Sequence, residues 1–154
     1  MPKNLSSVII KTFDELDKQE LYKLLQLRIE VFVVEQDCPY QDLDDLDSQG
    51  RHLWIEEDGE ILTYLRLNPP ETRFKEPSLG RIVTKEIARS RGLAEALIVK
   101  ALEIIDKEYK MNTRISAQSY LEEYYSKFGF TKCSDEYLED NIPHIEMLNN
   151  VKDK

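Results

Sequence analysis

The sequence is short of cysteine. It has two, Cys38 and Cys133, far apart and not in a Cys-x-x-Cys pattern. With no secretory signal to accompany them, they read as free thiols rather than a disulfide framework. Long apolar runs are absent too: nothing approaches the ~20 residues of a membrane helix. The start, Met-Pro-Lys-Asn-Leu-Ser-Ser, has no apolar stretch of signal-peptide type. A cytoplasmic protein with no membrane partner is therefore expected. Basic residues are outnumbered, 21 Lys and Arg against 30 Asp and Glu, for a formal net charge of −9. That argues against nucleic acid, whose phosphates need a basic surface. It suits a cationic substrate, although negative charge also serves solubility alone. Internal repeats and low-complexity linkers are missing. What remains, 154 residues with 41% hydrophobic content, suits one domain over residues 1–154 with a core roughly at 8–148.

Residues 8–11 read as a short first strand. Asp17-Lys18-Gln19-Glu20 reads as a capping box, and Leu16 and Leu21 as its hydrophobic staple. Leu21, Leu24, Leu25, Arg28, Val31 and Phe32 then recur at helical spacing up to about Glu35. The acidic, Pro39-containing segment from Asp37 to Gly50 reads as a solvated loop. Asp58-Gly59 marks a hairpin between strands at 52–57 and 61–67, closed by Asn68-Pro69-Pro70. A strand at 79–85, an apolar-faced helix at 93–108 and a strand at 113–117 follow. A helix at 121–128 ends at Gly129, and strands at 130–134 and 144–148 complete the chain. This order predicts an α/β fold on a mixed sheet of about seven strands, with helices on both faces. The stretch 79–117 should form a parallel crossover.

The turn Arg89-Ser90-Arg91-Gly92-Leu93-Ala94 enters the second long helix. A helix start presents about four unpartnered N–H groups, and its dipole adds positive potential. Gly92 permits positive φ and close approach, Ala94 keeps the first turn slim, and Arg89 and Arg91 bring charge. Together these suit a pyrophosphate, although an ordinary helix entry with surface arginines has the same composition. The turn lacks the Gly-Lys-Ser/Thr of a Walker loop and the GxGxxG of a Rossmann site.

The same turn resembles the (Gln/Arg)-x-x-Gly-x-(Gly/Ala) signature of the GNAT N-acetyltransferase superfamily, with Arg89, Gly92 and Ala94 at its defining positions. Leu79-Gly80-Arg81-Ile82-Val83-Thr84 stands where that superfamily has its splayed fourth strand. The segment from Leu27 to Tyr40 looks like the ElaA-like branch, as do Asp44, Asp47 and His52 downstream. Ala117-Gln118-Ser119-Tyr120, Tyr125-Ser126-Lys127-Phe128-Gly129-Phe130 and the ending Glu139 to Met147 also match, with Asn141 where glycine is usual. The motifs are individually weak; their order over roughly 16–147 is the strong feature. Ala94 replaces a commoner glycine and tightens the space near the phosphates.

The resemblance implies a GNAT-type acyl-CoA N-acyltransferase fold and an acetyl group passed directly from acetyl-CoA to a primary amine. It implies that Ile82, Val83 and Thr84 bond the pantetheine through their backbones, with the Val83 N–H polarising the thioester carbonyl. Ser90, Arg91, Leu93 and Gln118 join Arg89, Gly92 and Ala94 as expected cofactor contacts. Tyr125, four residues before Gly129, is the expected proton donor to the departing thiolate, with Tyr124 its rival. Glu35 is the leading base for the amine, provided that burial or a like charge raises its pKa; a structural anchor is the alternative. Glu35, Gln36 and His144 are the expected acceptor-side residues, with His144 ranked above His52, the other histidine, as a base or shuttle. Asp42 to Asp47 fails the EF-hand spacing and no metal is expected; it is read as solvated, or as a rim attracting an amine. Cys38 reads as an inert small hydrophobe. The expected partner is a small-molecule or peptide amine, with homodimerisation left open. Two rivals stand beside this reading: a non-catalytic acyl-CoA-binding or sensing module of the same fold, and a nucleotide-binding α/β domain.

Overall fold

The first element of the computed structural model, which describes residues 8–150, is strand β1, Ile9–Thr12. The reading of the first seven residues lies outside this range. Helix α1, Lys18–Ile29, opens on the expected capping box: the Glu20 N–H donates to Asp17 Oδ1 at 2.7 Å, and the Asp17 N–H donates to Glu20 Oε1 at 3.0 Å. Leu16 and Leu21, the expected staple, pack against one hydrophobic cluster. The helix does not run on as α to Glu35. Residues Glu30–Glu35 form a π-helical turn, in which the Gln36 N–H reaches back to the Val31 carbonyl at 3.1 Å. Three β-branched valines in this turn carry a modest penalty in α geometry, and π-turns often accompany functional sites.

Strands β2, Arg51–Glu57, and β3, Glu60–Asn68, form the expected hairpin over Asp58-Gly59. Strand β4, Ser78–Thr84, follows, then α2, Leu93–Glu108, and β5, Thr113–Gln118. The expected helix at 121–128 is a 3-10 turn, Ser119–Leu121, running into a short α3, Glu122–Ser126. Gly129 then takes φ +96°, and a Cβ there would stand 3.1 Å from Asn149 Nδ2, so the turn requires glycine. Strands β6, Phe130–Lys132, β7, Tyr137–Glu139, and β8, Ile142–Asn149, complete the sheet. The spatial order is β1-β2-β3-β4-β5-β8-β6, with β7 on β8, an eight-stranded mixed sheet. β7 has only three residues, too few for a readable alternation.

Each face of the sheet is covered by a helix. Leu53, Ile55, Leu65 and Leu67 alternate onto one face and cluster with Leu93, Leu97, Ile98, Ala101 and Ile105 of α2. Trp54, Tyr64 and Val83 alternate onto the other and meet Leu24, Leu27 and Val31. Because both faces are covered, every residue of β3 from Ile61 to Asn68 is buried.

Candidate active site

β4 and β5 run parallel but pair only at Ser78 and Arg114; beyond that point they separate. A bulge in β4 accompanies the split. Tyr64 faces Val83 and Arg66 faces Gly80, so two steps of β3 are matched by three of β4. The bulge places Arg81 at φ +52°, a conformation uncommon outside glycine. A cleft of about 520 Å³ opens there, walled by residues 79–84 on one side and 115–118 on the other.

The acidic loop braces this bulge instead of lying in solvent. Arg81 Nη2 donates to the Asp42 carbonyl at 2.8 Å. Its Nε lies 2.9 Å from Asp42 Oδ1, a charge contact without hydrogen-bond geometry. Asp42 Oδ2 accepts from Arg28 Nε at 2.9 Å. Asp47 Oδ1 accepts from Arg28 Nη1 at 2.7 Å and from Arg66 Nη1 at 2.8 Å. Asp44 takes both terminal nitrogens of Arg66 at 2.9 and 2.8 Å. Arg28 and Arg66 are fully buried, so the expectation of a solvated loop or amine-attracting rim is corrected: three carboxylates turn inward because two buried guanidiniums require partners.

Backbone direction along β4 also corrects one expectation. Thr63 Oγ1 donates to the Val83 carbonyl at 3.0 Å, and the Lys85 N–H donates to the Leu62 carbonyl at 2.8 Å. Residues 83 and 85 thus direct their polar edges at β3. Successive strand residues alternate, so Ile82 and Thr84 direct theirs toward the cleft side. In agreement, the Thr84 carbonyl accepts from Arg89 Nε at 3.0 Å. The N–H of Val83 is thus turned toward β3 and away from the cleft, against the expectation set for it.

At the cleft's far end, Ser90 and Gly92 take φ +67° and +77°, and Gly92 is the N-cap of α2. No side chain caps this helix, and its first internal bond runs from the Ala96 N–H to the Gly92 carbonyl at 3.2 Å. The N–H groups of Leu93, Ala94 and Glu95 therefore precede the helical ladder. A Cβ at Gly92 would find its nearest neighbour at 4.0 Å, so left-handed φ, not crowding, favours glycine there. Arg89 forms a bidentate pair with Glu35, with Nη2 2.8 Å from Oε1. Arg91 Nη2 meets Glu57 Oε2 at 2.7 Å. Both pairs are solvent-accessible, so water screens their attraction.

Tyr124 and Tyr125 both line the cleft. The Tyr124 hydroxyl donates to Glu95 Oε2 at 2.8 Å. Tyr125 is buried edge-on between Tyr124 and Phe130, and its hydroxyl has no hydrogen-bond partner among the described residues. Burial pushes its pKa above the usual phenol value, so it is protonated at neutral pH.

Comparison with known proteins follows the same lines. The family described as Acetyltransferase (GNAT) domain matches residues 14–150. The chain belongs to the GNAT acetyltransferase family. Its similarity to ElaA of Escherichia coli is 37% identity, covering 89% of this chain and 92% of that protein. A UPF0039 protein of Synechocystis is 41% identical, covering 88% and 90%. The crystal structure of an acyl-CoA N-acyltransferase from Pseudomonas aeruginosa superposes with a TM-score of 0.87 at 42% identity, covering 92% of this chain and 97% of that one. The crystal structure of E. coli ElaA superposes with 0.84 at 34% identity, covering 93% and 99%. The expected α/β GNAT fold and the ElaA-like resemblance are thereby established, and with them an acyl-CoA acyltransferase architecture.

Within this GNAT cleft the expected residues separate into two groups. Ile82, Val83, Thr84, Arg89, Ser90, Gly92, Leu93, Ala94 and Gln118, expected as cofactor contacts, line the cleft. Arg91 is not among the lining residues. Glu35 and Gln36 lie on the cleft's outer lip, after the π-turn. The condition set for Glu35 as base is not met: the hydrogen-bonded Arg89 guanidinium holds its carboxyl below the usual range, against the opposing effect of burial. His144 lines the cleft, whereas His52 is fully buried between Tyr64, at 2.6 Å, and the Asp47 carbonyl, at 2.9 Å. Sequence reasoning missed Ser116, Tyr137 and Arg73, and Glu139 as a site residue. Ser116 Oγ donates to Glu139 Oε1 at 2.8 Å, and Arg73 Nη2 donates to the same oxygen at 2.8 Å. The only available signal was Glu139 at the head of the matching C-terminal motif. Among the described residues no helix is long and apolar enough to cross a membrane.

Proposed function

We propose that this GNAT protein transfers an acetyl group directly from acetyl-CoA to a primary amine. The observation that carries the reading is one cleft with an uncapped helix start at one end and the unpartnered Tyr125 hydroxyl facing it. Residues 89–94 suit the pyrophosphate, through the free N–H groups of α2 and the solvent-accessible guanidiniums of Arg89 and Arg91. Ile82 and Thr84 offer backbone edges to the pantetheine, and Gln118 faces them from β5. The Ile82 N–H, beside the bulge, takes over the oxyanion role first assigned to Val83. Acetyl-CoA supplies an activated acyl carbon when bound. Tyr125 protonates the sulfur that leaves: burial keeps the phenol protonated until a thiolate develops beside it. The family description supports acetyl as the acyl group.

The test is thiol release from acetyl-CoA with a panel of amines, run beside calorimetric binding of CoA. Amine-dependent release supports the reading. Tight CoA binding with no release above hydrolysis supports the acyl-CoA-binding module. ATP or NAD binding without CoA binding overturns both.

A further inference from the structure

The strand registers place a polar face at the inner end of the cleft. His144 stands opposite Gln118 on one side and Tyr137 on the other, and Ser116 stands opposite Glu146. Directly paired residues share a face, as do residues two apart, so Ser116, Gln118, Tyr137, Glu139 and His144 project to one side of the sheet. The intervening Ile115, Ala117, Ile145 and Met147 project to the other side, into the α2 cluster. The pyrophosphate turn belongs to α2, and Tyr125 packs in the α2 cluster. The donor end and this polar face thus lie on opposite sides of the sheet, joined through the gap between β4 and β5.

His144 is 7% exposed, and its Nδ1 lies 2.7 Å from the Ile142 carbonyl. A carbonyl only accepts, so Nδ1 carries the hydrogen and the neutral ring keeps its lone pair on Nε2. Among the described residues Nε2 has no hydrogen-bond partner. Tyr137 stacks on the ring at 6.2 Å and 27° and fixes its plane. Glu139 accepts both Arg73 and Ser116 on Oε1, which leaves Oε2 for a ligand. Its carboxyl is ionised at neutral pH: burial pushes it up, but Arg73 and Ser116 outweigh that and hold it below the usual range.

We propose that Glu139 receives the acceptor as an ammonium ion, that His144 Nε2 takes its proton, and that the acceptor is a primary alkylamine entering from the face opposite the acyl donor. This rests on the acetyl-transfer reading above. The protons balance as follows. The ammonium loses one proton to His144, and the freed lone pair forms the C–N bond at the thioester carbon. The C–S bond breaks, and sulfur takes the proton of Tyr125. The second proton lost by nitrogen restores Tyr125, and that on His144 passes to solvent, so one amide, one thiol and one proton result. Around His144, β7 contributes Tyr137 and Glu139, the β7–β8 turn Asp140, the loop before β4 Arg73 through Glu139, the segment after the π-turn Cys38 beside Asp140, and its own strand Glu146. β5 contributes the uncharged Ser116 and Gln118.

The test compares wild type, His144→Asn and Glu139→Gln with spermidine, tyramine and a lysine-containing tetrapeptide as probe acceptors. Asparagine keeps the donor to Ile142 but has no basic lone pair. His144→Asn should lose about 100-fold in kcat/KM at pH 7, and the loss should shrink as pH approaches the amine's own pKa, ~10, where free amine supplies itself. Glu139→Gln should raise the amine KM about tenfold, the scale of one charge-assisted contact, with kcat little changed. CoA binding should stay within about twofold in both variants on the same scale. A loss under tenfold, or one equal at every pH, overturns the base assignment; an unmoved amine KM overturns the Glu139 subsite. If a variant misfolds, the wild-type His144 imidazole resonance decides: a shift on adding spermidine to the CoA-bound protein is expected, and none overturns the proposal. A wild type inactive on all probes brings down acetyl transfer itself, whereas an active wild type with unmoved variants sinks this inference alone.

Discussion

Tyr124 and Tyr125 are adjacent on α3, yet the Tyr124 hydroxyl donates a hydrogen bond to Glu95 while Tyr125 lines the cleft with its hydroxyl unpaired among the described residues. Tyr125→Phe should therefore lower kcat about 100-fold with CoA affinity unchanged, whereas Tyr124→Phe should cost only a few-fold; steady-state rates beside calorimetry check this pair. The distance from Gly129 made Tyr125 legible through the family register, but the engagement of its neighbour Tyr124 by Glu95, a residue on another helix, was not. Glu35 shows the opposite case. Its place at the helix end was readable; its guanidinium partner, contributed by Arg89 on a distant turn, was not. Because Arg89 holds that carboxyl ionised, Glu35→Gln should keep kcat within about threefold, since a base's removal costs ~100-fold or more. It should also tighten CoA binding by freeing Arg89. A loss of kcat as large as that of Tyr125→Phe would restore Glu35 as the base.

At the scale of elements, the bulge of β4 and the loop at 42–47 form one mechanical unit. Asp47 binds both buried guanidiniums, and removing one partner from such a pair costs about 3 kcal/mol or more. Asp47→Ala should show that loss in denaturant unfolding and should also weaken CoA binding, because Arg28 and Asp42 brace Arg81 in the bulge. Wild-type stability would contradict the bracing. The helical period placed Arg28 on the apolar stripe, which was a sign of burial, but the stretch of acidic residues gave no sign of which way it faces. Order and type of the longer elements were legible from caps, hairpin turn and periodicity. The π-turn at 30–35, the short β7 and the bulge were not, because each depends on contacts with strands distant in sequence.

For the whole molecule, the network sets how stability responds to acid. Burial holds His52 below its ordinary pKa. The unfolded chain therefore binds a proton at ~6.5 that the folded one resists, and stability falls as pH drops below that value. A second loss follows at lower pH. Burial pushes Asp44 up, but Arg66 and Arg81 outweigh it and hold the carboxyl at about 2, against ~3.9 when unfolded. That contribution is complete above the unfolded value and fades toward pH 2. Thermal unfolding against pH should show both stages, and His52→Gln should flatten only the first; a curve level from pH 7 to 5 would contradict the buried neutral histidine.

Direct acetyl transfer is tested most plainly by initial rates of thiol release with acetyl-CoA and an accepted amine both varied. If donor and acceptor meet in the cleft from opposite faces, as proposed, the double-reciprocal lines should intersect and the amine should carry the acetyl group. Parallel lines with an acetylated protein, or no amine-dependent release across the panel, would contradict it.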